Sequence, residues 1–332
     1  MILKMENMNN IQKSIFDNQS AIKNNILGGF CDEKYFEKAH NYGKEKRVLI
    51  VDKNGHTRVV YRKVEAEKFS DGSNVPTYSA EIFNQLSQDT TTSRNTVDEK
   101  FNKKRTNLHK EIYNSYLSGL KESEHPTLVL LAGGGGSGKG HVADSKILSD
   151  PMYKDFVAVN NDDIKYMLPE SAIFTEEDPY SAANRLHQES SYITKALVRQ
   201  IRAKKANLIF DTTCADTEKT LKMINAFKQC GYKIHLIGVL CDREVCKKSN
   251  RQRFLHKKRY VPDFIISKDN IDARSTMHNL ISKHKQKLES VIIYDNSKQL
   301  EKEQPKMIYD NGEVLDEQSM NKLNKYNSFQ DV

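Results

Sequence analysis

The stretch from Thr127 to Gly140, TLVLLAGGGGSGKG, decides the fold predicted for this chain. A short apolar strand runs into the spacing G-x(4)-G-K, formed by Gly133, Gly134, Gly135, Gly136, Ser137, Gly138 and Lys139, and a helical stretch follows. Such glycines let successive backbone N–H groups turn toward one anion, and a lysine here reaches the β- and γ-phosphates. We therefore predict a phosphate-binding loop for a nucleotide rather than a flexible glycine turn.

The two residues after the lysine depart from the usual form of this loop. Gly140 stands where a serine or threonine commonly ligates Mg²⁺, and His141 follows it. Because Mg²⁺ keeps waters and phosphate oxygens as most of its shell, this change does not abolish nucleotide binding. The nucleotide site is predicted to run from Gly133 to His141, with Mg²⁺ as a cofactor.

Four further apolar runs follow the loop: FVAVN, NLIFD, KIHLIGVL and SVIIYDN. Helical stretches separate them, and apolar strands alternating with amphipathic helices are typical of a parallel sheet covered on both faces. Residues 126–296 are therefore predicted to form a doubly wound α/β domain of P-loop kinase type, with a mainly parallel five-stranded sheet.

The flanking regions carry weaker signals. Residues 1–125 are expected to form an N-terminal α+β extension of unknown role, with a hairpin over 47–64 around Asn54-Gly55. A long helix is expected over 96–122, since Thr96-Val-Asp-Glu99 has the spacing of a capping box. Residues 297–332 are expected to form a polar tail, in which MIYDNGEVLDE can make a hairpin over Asn311-Gly312.

Charge and composition exclude several classes of protein. Of the net charge of +8, residues 126–296 carry +7, from 27 basic and 20 acidic residues. No apolar run exceeds five residues, so neither a membrane span nor a secretory signal is expected. The five cysteines form no CxxC pair, which argues against a disulfide framework or a zinc site. We expect a cytoplasmic protein, acting in a bacterial cytosol or in a host cytosol if it is exported.

Carboxylates close two of the predicted strands, where ligands bind in open α/β sheets. Asp162 follows FVAVN and is predicted to be the catalytic base, with a helix N-cap as the alternative. Asp211 ends NLIFD and is predicted to lie beside the metal, with the same alternative. Thr212 and Thr213 are predicted substrate contacts, and Glu189 is predicted to be either a substrate contact or a solvated helix carboxylate.

A basic stretch follows the fourth strand, with seven basic residues among the thirteen from Lys247 to Arg259. Arg253 and Arg259 are the predicted catalytic clamps, because arginines from a covering helix can neutralise the charge of phosphoryl transfer. A solvated helix face is the alternative for the lysines. A nucleic-acid groove is disfavoured, since only Phe254 and Tyr260 are available for base stacking.

About half of the chain, Leu128 to Asn296, resembles the zeta-toxin family of P-loop kinases. The resemblance rests on AGGGGSGKG, on VNNDDIKYMLPE, on the strand end IFDTT, and on RQRFLHKKRYVP with its R-x-x-P. It implies phosphorylation of a hydroxyl on a small acceptor, best known as UDP-N-acetylglucosamine, using ATP or GTP. It also implies Lys139 as the phosphate anchor, Asp162 as the base, Asp211 near the metal, and Arg253 and Arg259 at the transition state.

The sequence departs from the family pattern at three points, which affect the identity of the acceptor more than nucleotide binding. Gly140 replaces a hydroxyl residue, Asn160 replaces a first aspartate, and no arginine follows soon after Thr213. The expected function is thus a small-molecule kinase, a toxin or effector, with an antitoxin or regulatory protein as a partner. The alternatives are a kinase of protein, nucleic-acid ends or another cofactor, and a nucleotide-dependent regulatory module without transfer activity.

Overall fold

The computed structural model describes residues 88–257 and 259–324. Only the backbone is described at 255–257 and at 324, and likewise in four strands nearer the N-terminus. These strands are β1 (Lys46–Val51), β2 (Thr57–Arg62), β3 (Ala66–Lys68) and β4 (Asn74–Pro76). β1 and β2 pair as antiparallel strands, as expected for the hairpin over 47–64, and β3 pairs with β4. Asn54-Gly55 lies outside the described residues.

The long helix expected over 96–122 is shorter and starts later. Thr96 lies in β5 (Thr96–Val97), which pairs with β6 (Lys100–Phe101). Asp98 and Glu99 between them have φ of +48° and +62°, which closes a tight turn and is incompatible with a helix. The helix, α2 (Lys103–Leu117), begins after Asn102, whose side chain accepts from the amide of Arg105. The capping box lies earlier, between Thr90 and Ser93 at α1 (Thr91–Asn95).

The central sheet has seven strands in the described part of the chain, of which five are those predicted from the apolar runs. In spatial order it runs β8-β9-β7-β10-β11-β12-β13. The first five are parallel, which confirms the doubly wound fold of P-loop kinase type. The strands are β7 (Thr127–Ala132), β8 (Val157–Asn160), β9 (Leu208–Thr212), β10 (Lys233–Leu240), β11 (Ser290–Asp295), β12 (Lys306–Asp310) and β13 (Glu313–Val314).

The last two strands correct the five-stranded prediction. β12 and β13 form the hairpin expected over Asn311-Gly312, but β12 also pairs antiparallel with β11, Ile292 opposite Asp310. Asn311 has φ of +49° and Gly312 of +123°, which suits a tight turn. Ile308 in β12 is fully buried, so the hairpin extends the sheet rather than lying in a loose tail.

Helices cover both faces of the sheet, as parallel connections require. β7 is buried along its whole length, with Leu128 and Leu130 in one apolar cluster and Val129 and Leu131 in the other. The larger cluster takes the apolar faces of the three helices at 187–203, 217–228 and 263–283. The remaining helices are α3 (Lys139–Val142), α4 (Asn161–Met167), α5 (Glu170–Glu177), α6 (Ala182–Arg185), α7 (His187–Ala203), α8 (Thr217–Lys228), α9 (Arg243–Lys257), α10 (Asp263–Lys283) and α11 (Glu317–Asn324).

None of the helices that the structure describes is both long and apolar enough to cross a membrane. The strand register instead determines where the polar residues meet. Asp211 in β9 lies opposite Asn160 in β8 and opposite Leu131 in β7, whose next residues enter the glycine loop. The carboxyl ends of these three strands therefore bring the loop, Asn160 and Asp211 to one edge of the sheet.

Candidate functional site

The glycine loop connects β7 to α3 in the conformation expected of a phosphate-binding loop. Gly136 and Gly138 have φ of +76° and +82°, a left-handed conformation that turns neighbouring amides toward one side. The ammonium of Lys139 folds back over the loop and donates to the carbonyl oxygens of Gly133 at 2.7 Å and Gly134 at 3.3 Å. Gly140 has open space around it, and His141 is exposed beside it.

Three later segments pack against the loop, one through side chains and two through their backbones. Asn296, just after β11, donates to the carbonyl of Ser137 at 2.9 Å, and Gln299 donates to that of Gly136 at 2.8 Å. A Cβ on Gly136 would lie 2.4 Å from the carbonyl oxygen of Cys246 in α9. A Cβ on Gly134 would lie 2.8 Å from the Cα of Asn270 in α10. The glycines thus serve close packing as well as anion binding.

Asp211 lies at the end of β9, next to the loop lysine. Its Oδ1 is 3.8 Å from Nζ of Lys139, and its Oδ2 accepts from Nδ2 of Asn160 at 2.9 Å. Burial raises the pKa of Asp211, and the charge of Lys139 offsets only part of that increase. Asp211 does not cap a helix. Thr212 and Thr213 follow it, and the amide of Gly133 donates to the carbonyl of Thr213 at 3.3 Å.

Asp162 lies in the first turn of α4, one strand away from Asp211. The N-cap is Asn160, whose Oδ1 accepts from the amide of Asp162 at 2.7 Å, so the N-cap alternative for Asp162 does not hold. The Asp162 carboxylate accepts from Lys165 at 3.2 Å and pairs closely with Arg259. Burial raises its pKa, but Lys165, Arg259 and Arg253 outweigh that effect and hold the pKa at about 2.

Three cations surround this carboxylate: Lys165, Arg253 and Arg259. Arg253 comes from α9, whereas Arg259 lies in the non-helical segment before α10 rather than on the basic helix. Burial beside Arg259 lowers the pKa of Arg253 to about 10, so it stays protonated at neutral pH. The Nε atoms of Arg253 and Arg259 are buried, and within the described residues neither has a hydrogen-bond partner. These donors are suited to an anionic ligand.

A small, partly open cavity of about 20 Å³ adjoins Asp162. It is lined by Asp162, Lys165 and Arg259, by residues of α5 and α6, and by Leu186, which precedes α7. Such a volume holds about one water molecule. The cavity is thus wide enough for one hydroxyl group of a second substrate beside the carboxylate.

The residues at the loop fit a nucleotide with Mg²⁺. Ser137 Oγ is buried without a hydrogen-bond partner in the described part of the chain, and the loop carries Lys139. No group of three or more His, Cys, Asp or Glu residues that could hold a metal occurs among the residues the structure describes. Mg²⁺ needs only one or two protein carboxylates, because phosphate oxygens and water complete its coordination shell. Asp211, which lies 3.8 Å from the ammonium of Lys139, is the side chain that would supply one.

Glu189 is not placed as the predicted substrate contact. It is fully buried in the first turn of α7, bonded to Arg105 and, at 2.6 Å, to Nε2 of His109. Burial raises its pKa, but His109 and Arg105 outweigh that effect and hold it at about 2. It does not line the cavity beside Asp162, so neither a substrate contact nor a solvated carboxylate describes it.

Sequence reasoning missed four residues of the site. Lys165 was detectable, because it stands three residues after Asp162, the spacing at which helical side chains meet. Asn160 was noted only as a departure, although its position at a strand end before Asp162 fits an N-cap. Asn296 and Gln299 gave no signal, since their partners in the loop are 159 and 163 residues away.

Comparison with known proteins agrees with this geometry. The model of the zeta toxin family matches residues 113–313, more than half of the chain. The protein belongs to the zeta toxin family. No match was found among the curated proteins.

Several solved structures are similar to this zeta toxin family member. An AvrRxo1-ORF1:-ORF2 complex is 21% identical with a TM-score of 0.55, covering 69% of this chain and 74% of that one. The same pair with ATP is 18% identical with a TM-score of 0.54, covering 77% and 82%. A structure from the PezAT toxin–antitoxin system of Streptococcus pneumoniae is 18% identical with a TM-score of 0.48, covering 64% and 82%. Membership in the family supports a nucleotide-dependent phosphotransferase of the toxin type.

Proposed function

We propose that the protein transfers the γ-phosphate of ATP or GTP to a hydroxyl of a small acceptor. The observation that carries this proposal is the juxtaposition, at one sheet edge, of the loop lysine Lys139 with two strand-end carboxylates and buried cations. Asp211 is 3.8 Å from Lys139, and Asn160 connects Asp211 to the backbone of Asp162. Phosphoryl transfer needs these parts together, because its catalysis depends mainly on positioning and charge neutralisation.

Each residue has a defined role in the proposed reaction. The amides of the loop and Lys139 would hold the phosphates, and Asp211 would hold Mg²⁺, which when bound neutralises charge on the β- and γ-phosphates. The acceptor oxygen forms a bond to the γ-phosphorus while the bond from that phosphorus to the β–γ bridging oxygen breaks. The hydroxyl proton passes to the Asp162 carboxylate, and the nucleoside diphosphate leaves with the electron pair of the broken bond.

The low pKa of Asp162 suits a positioning base rather than a strong one. A carboxylate with a pKa of about 2 draws little on a hydroxyl proton in the ground state. In a loose phosphoryl-transfer transition state, the proton is removed late, so orientation of the hydroxyl matters more than basicity. Arg253 and Arg259, whose buried Nε atoms have no hydrogen-bond partner among the described residues, would neutralise the charge that develops on the transferred group.

The leading acceptor is a UDP-amino-sugar. The support for it is membership in the zeta toxin family together with the cations Lys165 and Arg259 at the small cavity beside Asp162. Incubation of the full chain with Mg²⁺-ATP and UDP-N-acetylglucosamine, followed by mass spectrometry, tests it. A product heavier by one phosphate supports the acceptor, and normal ATP binding without such a product rules it out. An untargeted search for phosphorylated metabolites in a cell extract would then find the acceptor.

An antitoxin or regulatory partner is part of the same proposal. One similar structure comes from a toxin–antitoxin system and another is a two-protein complex. Growth arrest on expression in bacteria, relieved by Lys139→Ala, would support a toxin that needs such a partner. Normal growth with the wild-type chain at comparable expression would count against a bacterial target.

A further inference from the structure

Three helices at the cavity beside Asp162, which the proposed function assigns to the acceptor, are each bound by one segment. This segment precedes the residues that match the family model. The cavity wall includes Ser171 of α5, Ala182 of α6 and Leu186 before α7. The segment comprises residues 89–109, from Asp89 to His109, and we call it the N-terminal clasp. The family model begins at residue 113, whereas all the partners of the clasp described below lie inside its range.

Arg105 is the centre of the clasp. Its Nη2 donates to Oε2 of Glu189 in α7 at 2.9 Å, and its Nη1 and Nη2 donate to the carboxylate of Glu170 in α5 at 3.0 and 2.8 Å. The Arg105 side chain is 5% exposed and that of Glu189 is fully buried. One planar guanidinium therefore bridges two helices through forked hydrogen bonds, a geometry that lysine cannot reproduce.

Asp89 binds the third helix. Its Oδ2 accepts from Nη2 of Arg185 in α6, and its carbonyl oxygen accepts from Nε of the same arginine, both at 2.7 Å. The Arg185 guanidinium lies 3.4 Å from the centroid of the Phe174 ring in α5. The second contact of Asp89, with Arg94, keeps its carboxylate in place from within the clasp.

The bound residues are adjacent in sequence to the cavity wall. Glu170 directly precedes Ser171, Arg185 directly precedes Leu186, and Glu189 lies one helical turn beyond Leu186. Buried ion pairs contribute little net stability but hold a specific geometry, because a shifted partner leaves a buried charge unpaired. The clasp thus fixes the helices that supply lining residues to the cavity beside Asp162, while it has no contact with the glycine loop among the described hydrogen bonds.

We propose that the N-terminal clasp is a positioning element for the acceptor, with Arg105 and Asp89 as positioning residues. This inference rests on the proposed function, since it assigns the cavity to the acceptor. The proposal assigns a role in acceptor selection to residues 89–109, which belong to the N-terminal region of unknown role. Nucleotide binding is independent of it, because the loop is held by α9, α10 and the residues after β11.

The test uses the full chain with Asp89→Asn and Arg105→Lys, and with Asp316→Asn as the matched control. Asp316 is a comparably buried, ion-paired aspartate at the opposite end of the sheet. Kinetics with UDP-N-acetylglucosamine and ATP give the KM for each substrate, and hydrogen–deuterium exchange reports on residues 170–189 and on the loop. We expect both clasp variants to raise the acceptor KM by about tenfold or more, because small misplacements are costly in a positioned site. The ATP KM should not change.

Exchange should become faster in residues 170–189 and stay unchanged in the loop, and Asp316→Asn should match the wild type in every readout. A clasp variant that folds and keeps the wild-type acceptor KM overturns the proposal, as does an equal rise in both KM values. If Arg105→Lys does not fold, the double variant Arg105→Met, Glu189→Gln removes both charges and takes its place. If the wild type phosphorylates no sugar nucleotide, the assignment of the acceptor fails, and hydrogen–deuterium exchange alone tests the clasp. Faster exchange confined to residues 170–189 in the clasp variants then supports it, and exchange equal to that of the wild type overturns it.

Discussion

Replacement of Gly136 by alanine tests whether the glycine loop is held in a nucleotide-binding conformation by its packing. The new Cβ would lie 2.4 Å from the carbonyl oxygen of Cys246, a backbone atom that cannot rotate away. Gly136 also has φ of +76°, where an L-residue is strained. Overpacking costs about 1–3 kcal/mol and the left-handed backbone about 1–2 kcal/mol, so the total is about 2–5 kcal/mol.

If half of that cost, about 1–2.5 kcal/mol, appears as lost nucleotide affinity, the Kd for ATP rises by roughly 5- to 70-fold. Gly119→Ala is the matched control, because Gly119 has the same φ of +76°, no atom lies within 4 Å of its added Cβ, and it lies outside the glycine loop. Isothermal titration calorimetry with Mg²⁺-ATP measures both variants, and urea unfolding checks their stability. Wild-type stability and ATP affinity in Gly136→Ala, or equal losses in the two variants, would refute the packing argument.

Three further predictions concern groups around the site. Lys322→Met removes the ammonium that contacts Asp242 at 3.0 Å and Asp295 at 3.2 Å, next to Asn296, which binds the loop. The ATP KM should therefore rise severalfold with little change in kcat. The control Lys298→Met breaks an exposed ion pair and should leave the ATP KM unchanged. Lys165→Met should lower kcat by about tenfold or more, since it removes one of the cations around the transferred group, and Lys165→Arg should restore part of it. For pH, the pKa of Asp162 is about 2 when folded against 3.8 unfolded, so its stabilisation is present above pH 4 and is lost as the pH falls toward 2. The unfolding free energy of the wild type relative to Asp162→Asn should thus fall by about 2 kcal/mol over that range in urea titrations, and a constant difference would show that the ion pairs do not form.

The parts of the site that are local in sequence were predictable. The run from Thr127 to Lys139 contains a strand, glycines and a lysine in consecutive positions, so one motif determines its structure and chemistry. Asp162 and Asp211 followed from a general rule on strand ends, and the register of β8 and β9 brings both to one edge. The apolar runs predicted five of the strands in the central sheet.

The parts that depend on distant partners were not predictable. Glu189 appeared to be either a substrate contact or a solvated carboxylate because its partner, Arg105, is 84 residues away. The helix predicted to start at Thr96 does not form there, because Asp98 and Glu99 make a tight turn instead. The pairing of β5 with β6 stabilises this turn, and the capping-box spacing gave no sign of that pairing. β12 looked like part of a polar tail because its burial depends on β11.

The central claim is that the glycine loop and Asp162 belong to one phosphoryl-transfer site. Single-turnover transfer of the labelled γ-phosphate of ATP to a low-molecular-weight acceptor measures it most directly, in the wild type and in Asp162→Asn at saturating ATP. We predict transfer by the wild type, and loss of at least about a hundredfold in Asp162→Asn with an unchanged Kd for ATP. Equal transfer rates in the two proteins, or loss of ATP binding together with transfer, would contradict the claim.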